Sequence, residues 1–243
     1  MATEVEDILE RVAAAYAGCR SYRDAGTVTM NVYGAGPHTS VKRFLTRFVR
    51  PSGFRFEVRS FSPCESGDLY AVWLEEGISK TWWSMSRKLE EVESFASVMN
   101  FAAGMSFDAV SRIAEMLLPR QLDRPRTLWP AAAKLITLHE ANAAGCAVVV
   151  QTRRDGTVVQ LWVDRATFLL RRVVEPRHRI VGFSTEEIER FKALVPEAAT
   201  TLEASYNASL NRGPEEQETT TTYDPEFDAE IAANELLFEP PAK

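Results

Sequence analysis

The chain has 243 residues, 45% of them hydrophobic, 26% charged and 10% aromatic, with a formal charge of −6. These are globular values that speak against a disordered chain, and no window reaches the roughly 18 apolar residues of a membrane-spanning helix. The acidic balance opposes binding to nucleic acid or an anionic membrane surface, and the local cluster Lys42, Arg43, Arg47, Arg50 and Arg55 reads first as the solvated face of a strand.

The pattern opens on a helix. Thr3 and Glu6 fit a capping box, and Val5, Ile8, Leu9, Val12, Tyr16 and Cys19 recur at steps of three and four, making one apolar stripe. From Ala25 to Glu93 the period changes to two, with strands predicted at 25–33, 41–50, 53–62, 68–75, 78–85 and 88–93. Their short connections make successive strands antiparallel neighbours.

The hairpin around Arg50-Pro51-Ser52-Gly53 has two chemically distinct faces. Phe44, Thr46, Phe48 and Arg50 share one side of the first strand, and Phe54, Phe56 and Val58 share one side of the second. Arg43, Leu45, Arg47, Val49, Arg55, Glu57 and Arg59 take the other. Pairing the phenylalanines leaves Arg50 in phase with them at the rim of an apolar face. The structural reading of Arg50 is an arginine whose stem lies on apolar surface while its guanidinium reaches water.

Residues 94–119 return to helical spacing, interrupted near Gly104 and at Pro119. Met99, Met105 and Met116 fall here among phenylalanines. Such a stripe is ordinarily core, and a methionine-bearing helix pair over a concave sheet also makes a lid that repacks around lipid chains. Strands are predicted again at 134–139, 145–153, 157–163 and 168–174, with a hairpin turn at Asp155-Gly156. A helix from Ser184 to Val195, strands near 200–211 and 217–223, a short helix near 228–234 and a last strand complete the pattern. The longest polar stretch, Asn211 to Glu218, reads as a hairpin loop, so one domain spanning 1–243 is expected. The expected class is α+β, mainly antiparallel β: a strongly curved open sheet of about ten strands wrapped around an N-terminal helix and central lid helices.

Signatures of catalysis are scarce. Gly182-Phe183-Ser184-Thr185-Glu186 lacks the second glycine of a nucleophile elbow, and no Walker A, G-x-G-x-x-G or H-E-x-x-H motif occurs. His38, His139 and His178 lie in three separate segments with no metal-ligand spacing. Cys19, Cys64 and Cys146 leave at least one thiol unpaired; Cys19 and Cys146 read as small buried hydrophobes, with one disulfide still open. The acidic pairs Glu75-Glu76, Glu90-Glu91 and Glu215-Glu216 read as solvated turns and strand faces. Trp82 and Trp83 must point to opposite faces of one strand, leaving at least one of them partly exposed. No catalytic residue, metal or cofactor is assigned.

Phe48-Val49-Arg50-Pro51-Ser52-Gly53-Phe54-Arg55-Phe56 resembles the aromatic, Arg-Pro, aromatic hairpin of the LolA/LolB-like family of outer-membrane lipoprotein carriers. The helix ending at Ser21-Tyr22, the strand Thr81-Trp82-Trp83, the strand Leu161-Trp162-Val163-Asp164 and the closing Leu237-Phe238-Glu239-Pro240-Pro241 follow in the family's order, nearest its uncharacterised bacterial branch. The 184–196 segment reads as an insertion relative to the compact carriers.

The resemblance implies a half-barrel that holds acyl chains of a lipoprotein, or another elongated apolar ligand, between sheet and helices. It places the arginine at Arg50 by that cavity, gating it through bonds to carbonyls or a carboxylate of a lid helix. Phe44, Phe48, Phe54, Phe56, Trp82, Trp83, Met99, Met105 and Met116 are the expected lining. It also implies a periplasmic, monomeric protein, possessing no enzymatic activity, that meets a lipoprotein acyl chain, a lipid or a membrane-anchored protein partner. Met1 to Glu6 is acidic and lacks the basic and apolar regions of a secretory signal. The expectation is a signal removed ahead of this chain, with retention inside the cell as the other reading. The second functional reading is an envelope sensor or partner-binding module of the same fold.

Overall fold

The computed structural model describes residues 4–33, 37–61, 67–122, 133–140, 145–153, 156–179, 189 and 215–241. Helix α1 (Glu4–Gly18) buries the predicted stripe Val5, Ile8, Leu9, Val12 and Tyr16. The strands β1 (Ser21–Tyr33), β2 (His38–Val49), β3 (Gly53–Phe61), β4 (Leu69–Glu75), β5 (Ile78–Trp83) and β6 (Lys88–Val92) follow as an antiparallel meander. Helices α2 (Phe95–Met105), α3 (Ala109–Leu117) and α4 (Pro119–Leu122) come next. A second meander contains β7 (Ala133–Glu140), β8 (Cys146–Arg153), β9 (Val158–Asp164), β10 (Leu170–Arg179) and β11 (Glu215–Thr222). The two-residue β12 (Glu226–Phe227) and a 3₁₀ turn at Ala233–Leu236 end the described elements.

Eleven strands stand in the order β6-β5-β4-β3-β2-β1-β11-β10-β9-β8-β7, and β12 pairs the start of β1. The sheet is open. Its centre is the pairing of β1 with β11, from Thr27 opposite Thr222 to Tyr33 opposite Glu216. Laid flat at about 4.8 Å per strand, it would be roughly 50 Å across. Yet Val72 of β4 and Val149 of β8 share one core with α1, α2 and α3, so the sheet wraps around the helices.

Several expectations are revised. The first strand begins four residues before the predicted Ala25, because Tyr22 and Asp24 both point inward and a carboxylate masks the apolar alternation. The eleven strands of the row, with β12 beside it, agree with the expected sheet of about ten. Among the described residues no strand follows β12: the expected helix near 228–234 is the 3₁₀ turn, and the tail beyond it runs across the outer face. There Phe238 packs against Trp73 and Trp82 at 5.4 Å each, while Arg55 donates to the carbonyls of Glu235 and Leu237. Side-chain plugging and arginine capping thus replace a strand ladder. The predicted helix at 184–195, apart from helical Glu189, and the strand at 200–211 lie outside the described residues. Cys19 and Cys146 are unpaired thiols, and Cys64 is outside the described residues.

Trp82 and Trp83 do face opposite ways. Trp83 joins the main core, and Trp82 joins an outer cluster with Leu69, Ala71, Trp73 and Phe238. Neither is left exposed, because the C-terminal segment covers the outer one.

The seam carries a buried carboxylate. Asp24 accepts from the Tyr22 hydroxyl at 3.0 Å and from the Asp224 amide at 2.8 Å. Burial is the largest influence on it and raises its pKa from 3.8 to about 6, against the lowering effect of those bonds. The folded state therefore holds an extra proton between those values. This contribution to stability is complete below about pH 4 and is lost as pH rises through 6. Over that range the wild type is expected to lose on the order of 2–3 kcal/mol relative to Asp24→Asn. Urea unfolding of both proteins at pH 4 and pH 7 checks this, and a pH-independent difference would refute it.

Candidate functional site

The site is the concave face beneath α2. The β2–β3 hairpin supplies its floor: Phe48 stands opposite Phe54, Thr46 opposite Phe56 and Phe44 opposite Val58. Phe44 also crosses the seam, with its ring over Gly26 and against Tyr223 at 5.6 Å. A Cβ at position 26 would stand 2.1 Å from that ring, so the close approach requires glycine there.

Helix α2 is capped by Ser94, whose hydroxyl accepts from the Ser97 amide at 3.3 Å. It turns Phe95, Val98, Met99 and Ala102 onto the sheet, with Phe95 edge-on to Phe54 at 5.5 Å. The chain then reverses into α3 through Phe107 and Asp108, which take left-handed φ values of 51° and 65°. Non-glycine residues rarely adopt that conformation, and two in succession make a sharp joint.

The two helices are fastened differently. On α3, Arg112 forms a buried ion pair with Glu175 of β10, which also binds Arg153 at 2.6 Å. The Tyr223 hydroxyl donates to the carbonyl of Ala109 at 3.2 Å. Among the described residues, the side-chain polar tie between α2 and the sheet is at its end, where Lys42 Nζ donates to the Met105 carbonyl at 2.5 Å and lies 4.0 Å from the Phe107 ring centre. Burial pulls the Lys42 pKa from 10.5 to about 8, partly offset by Asp68. Lys42 is thus a costly polar clasp on an otherwise greasy helix.

The expected site residues fall as follows. Phe44, Phe48, Phe54, Phe56, Trp83, Met99 and Met116 meet in the core between sheet and helices, and Met105 packs against it. Trp82 lies on the outer face. Arg50 donates from Nε to the Cys19 carbonyl at 2.7 Å and from Nη2 to the Tyr16 carbonyl at 2.9 Å, over the Phe48 ring at 5.2 Å. Its partners belong to the end of α1, where the last carbonyls lack helical donors, and not to α2 or α3. The three histidines fall on β2, β7 and β10, which are not neighbours in the sheet.

Sequence reasoning did not assign Lys42, Tyr70 or Phe101 to the site. Their signals were periodic: Lys42 is in phase with Phe44, Tyr70 with Val72, and Phe101 follows Val98 by three. With Trp83 and α2, Tyr70 and Phe101 border a cavity of about 110 Å³ at the β6 edge. That is below the roughly 300–1,000 Å³ of small-molecule pockets, too small for a whole acyl chain.

No family model and no curated protein matches the chain. Solved structures do match at low identity. A DUF1329 family protein from Desulfovibrio piger is 10% identical with a TM-score of 0.42, over 97% of this chain and 98% of that one. The Pseudomonas aeruginosa MucA/MucB complex gives 14% identity and a TM-score of 0.44, over 98% of this chain and 62% of that one. A LolA superfamily protein from Nitrosomonas europaea gives 10% identity and a TM-score of 0.33, over 95% and 96%. The chemistry of the site rests on its own residues.

The unequal fastening has a measurable consequence. In Lys42→Met, amide hydrogen exchange is expected to rise severalfold across 95–105 and to stay unchanged across 109–117, because only α2 loses a polar tie. Mass-spectrometric exchange at pH 7 reads it, and equal acceleration of both helices would contradict it.

Proposed function

We propose that this chain is a binding or carrier protein that encloses an elongated apolar ligand, an acyl chain of a lipoprotein or lipid, between the concave face and α2. It acts in the periplasm by binding rather than catalysis. The observation that carries this reading is the asymmetry of the lid among the described residues: α3 is pinned to the sheet by buried polar bonds, while α2 rests chiefly on apolar contact and on Lys42.

Magnitudes support an exchange of helix for ligand. The large residues that α2 buries, Phe95, Val98 and Met99, contribute about 1.5–3 kcal/mol each, so roughly 5–9 kcal/mol together. An acyl chain burying about ten methylenes at about 0.8 kcal/mol each gains roughly 8 kcal/mol. The two nearly balance, which suits reversible loading. Phe44, Phe48, Phe54, Phe56 and Trp83 form the wall left behind, and Met99, Met105 and Met116 supply side chains that repack. Trp82 has no place in this wall. Arg50 keeps α1 against the β2–β3 hairpin and so holds the frame against which α2 moves.

Native mass spectrometry on protein purified without detergent, and again after incubation with lipid vesicles, tests the reading. Acyl-bearing adducts are expected, with faster uptake by Lys42→Met and poorer retention by Arg50→Leu. Clean apo masses with no uptake in any of the three proteins would overturn the carrier, and stable co-isolation of a protein partner would then favour a partner-binding module.

A further inference from the structure

The cavity at the β6 edge combines aromatic rings with charged side chains, unlike the floor of phenylalanines beside it. Tyr70 comes from β4, Trp83 from β5 and Phe101 from α2. The Tyr70 and Phe101 rings are 5.1 Å apart and inclined by 55°, and the Trp83 and Phe101 rings are 6.0 Å apart at 68°. Three rings at such angles turn faces and edges on one space from different directions. Tyr70 and Trp83 are buried, and Tyr70 keeps a neutral hydroxyl because burial raises its pKa far above the usual value.

The fourth wall is charged. On β6, Lys88 stands opposite Trp83 and Glu90 opposite Thr81, and both border the cavity. Two residues apart on one face, the two charges are roughly 7 Å from each other along the strand. Among the described residues neither is taken up by an ion pair; Lys80 serves Glu75 and Glu91 instead.

Aromatic faces beside a carboxylate attract a cation that sheds water easily, as alkylated ammonium groups do. The adjacent lysine would repel a simple cation and favours one that carries its own anion. A volume of about 110 Å³ is on the scale of the roughly 150 Å³ cavities that admit a benzene-sized group, which suits a trimethylammonium head. We propose that this cavity binds a choline-type zwitterion, with its quaternary ammonium among Tyr70, Trp83 and Phe101, Glu90 as counter-charge, and its phosphate or carboxylate at Lys88. The site lies under the same α2 as the acyl-chain site and rests on that reading only if the zwitterion is the head of a lipid.

Calorimetry with phosphocholine as the probe tests it, with phosphoethanolamine and inorganic phosphate as controls. Phosphocholine is expected to bind about tenfold or more tightly than phosphoethanolamine, whose ammonium keeps its hydration. Glu90→Gln and Phe101→Leu, each confirmed folded by circular dichroism, are expected to weaken phosphocholine about tenfold. Lys88→Gln is expected to weaken phosphocholine and to strengthen choline, the simple cation that the lysine repels. Equal binding of phosphocholine and phosphoethanolamine, or no binding by the folded wild type, overturns the proposal. A lipid source is shown by transfer from phosphatidylcholine but not phosphatidylglycerol vesicles; binding of the free zwitterion with neither transfer shows a soluble source. Acyl adducts without phosphocholine preference would refute this site and leave the carrier standing. Phosphocholine binding without acyl uptake would do the reverse.

Discussion

The pairing of β1 with β11 is the constraint on which the other arrangements depend. The strands β1 to β6 and β7 to β10 follow one another through short connections, while 35 residues separate β10 from β11; the first run leaves the seam and ends at the β6 edge, and the second starts at the β7 edge and returns. The chain between β6 and β7 must therefore cross from one edge of the sheet to the other. Crossing as helices lets it satisfy its own backbone while burying an apolar side. The helices thus fill the concave face as a consequence of the topology, and the site lies along that crossing.

The chemistry under the helices changes along this path. Beneath α2 the sheet presents phenylalanines, Val72 and Trp83. Beneath α3, near the seam, it presents Glu175, Thr221 and Tyr223, and Arg112 answers them. Breaking a buried ion pair strands a charge, whereas lifting an apolar helix is offset by any apolar surface that replaces it. The left-handed residues Phe107 and Asp108 stand where these two regimes meet. The outer face follows another logic: the C-terminal tail seals Trp73 and Trp82 with Phe238, and Arg55 ties the tail down through its carbonyls.

What could be read in the sequence was local. Period two put Phe44, Phe48, Phe54 and Phe56 on one face, because strand geometry alone decides which side a residue takes. The same rule separated Trp82 from Trp83 but could not supply Phe238, which reaches Trp82 from far along the chain and whose Leu-Phe pair imitates a strand. Lys42 shared the phase of Phe44 and was still grouped with solvated arginines. Its burial depends on a carbonyl of Met105 that local pattern does not reveal. Arg50 was placed correctly at the rim of an apolar face, yet its partners on α1 are fixed by tertiary packing. Arg112 and Glu175 carry no pattern that links them: Arg112 shares its helix with Glu115, Glu175 stands among the arginines of β10, and the pair meets only through the fold.

The seam also orders events in time. Thr222 follows its partner Thr27 by 195 positions, so at a synthesis rate of roughly 5–20 residues per second β1 waits about 10–40 s for β11. For that interval β1 is an unpaired edge, the kind of surface that recruits stray strands from other molecules. Asp24 then stands on the inward side of this edge with no roof from Asp224, and a charge in that position discourages a foreign strand from stacking there. The carboxylate that weakens the finished fold at neutral pH is thus a charge that the edge strand carries while its partner is still being made.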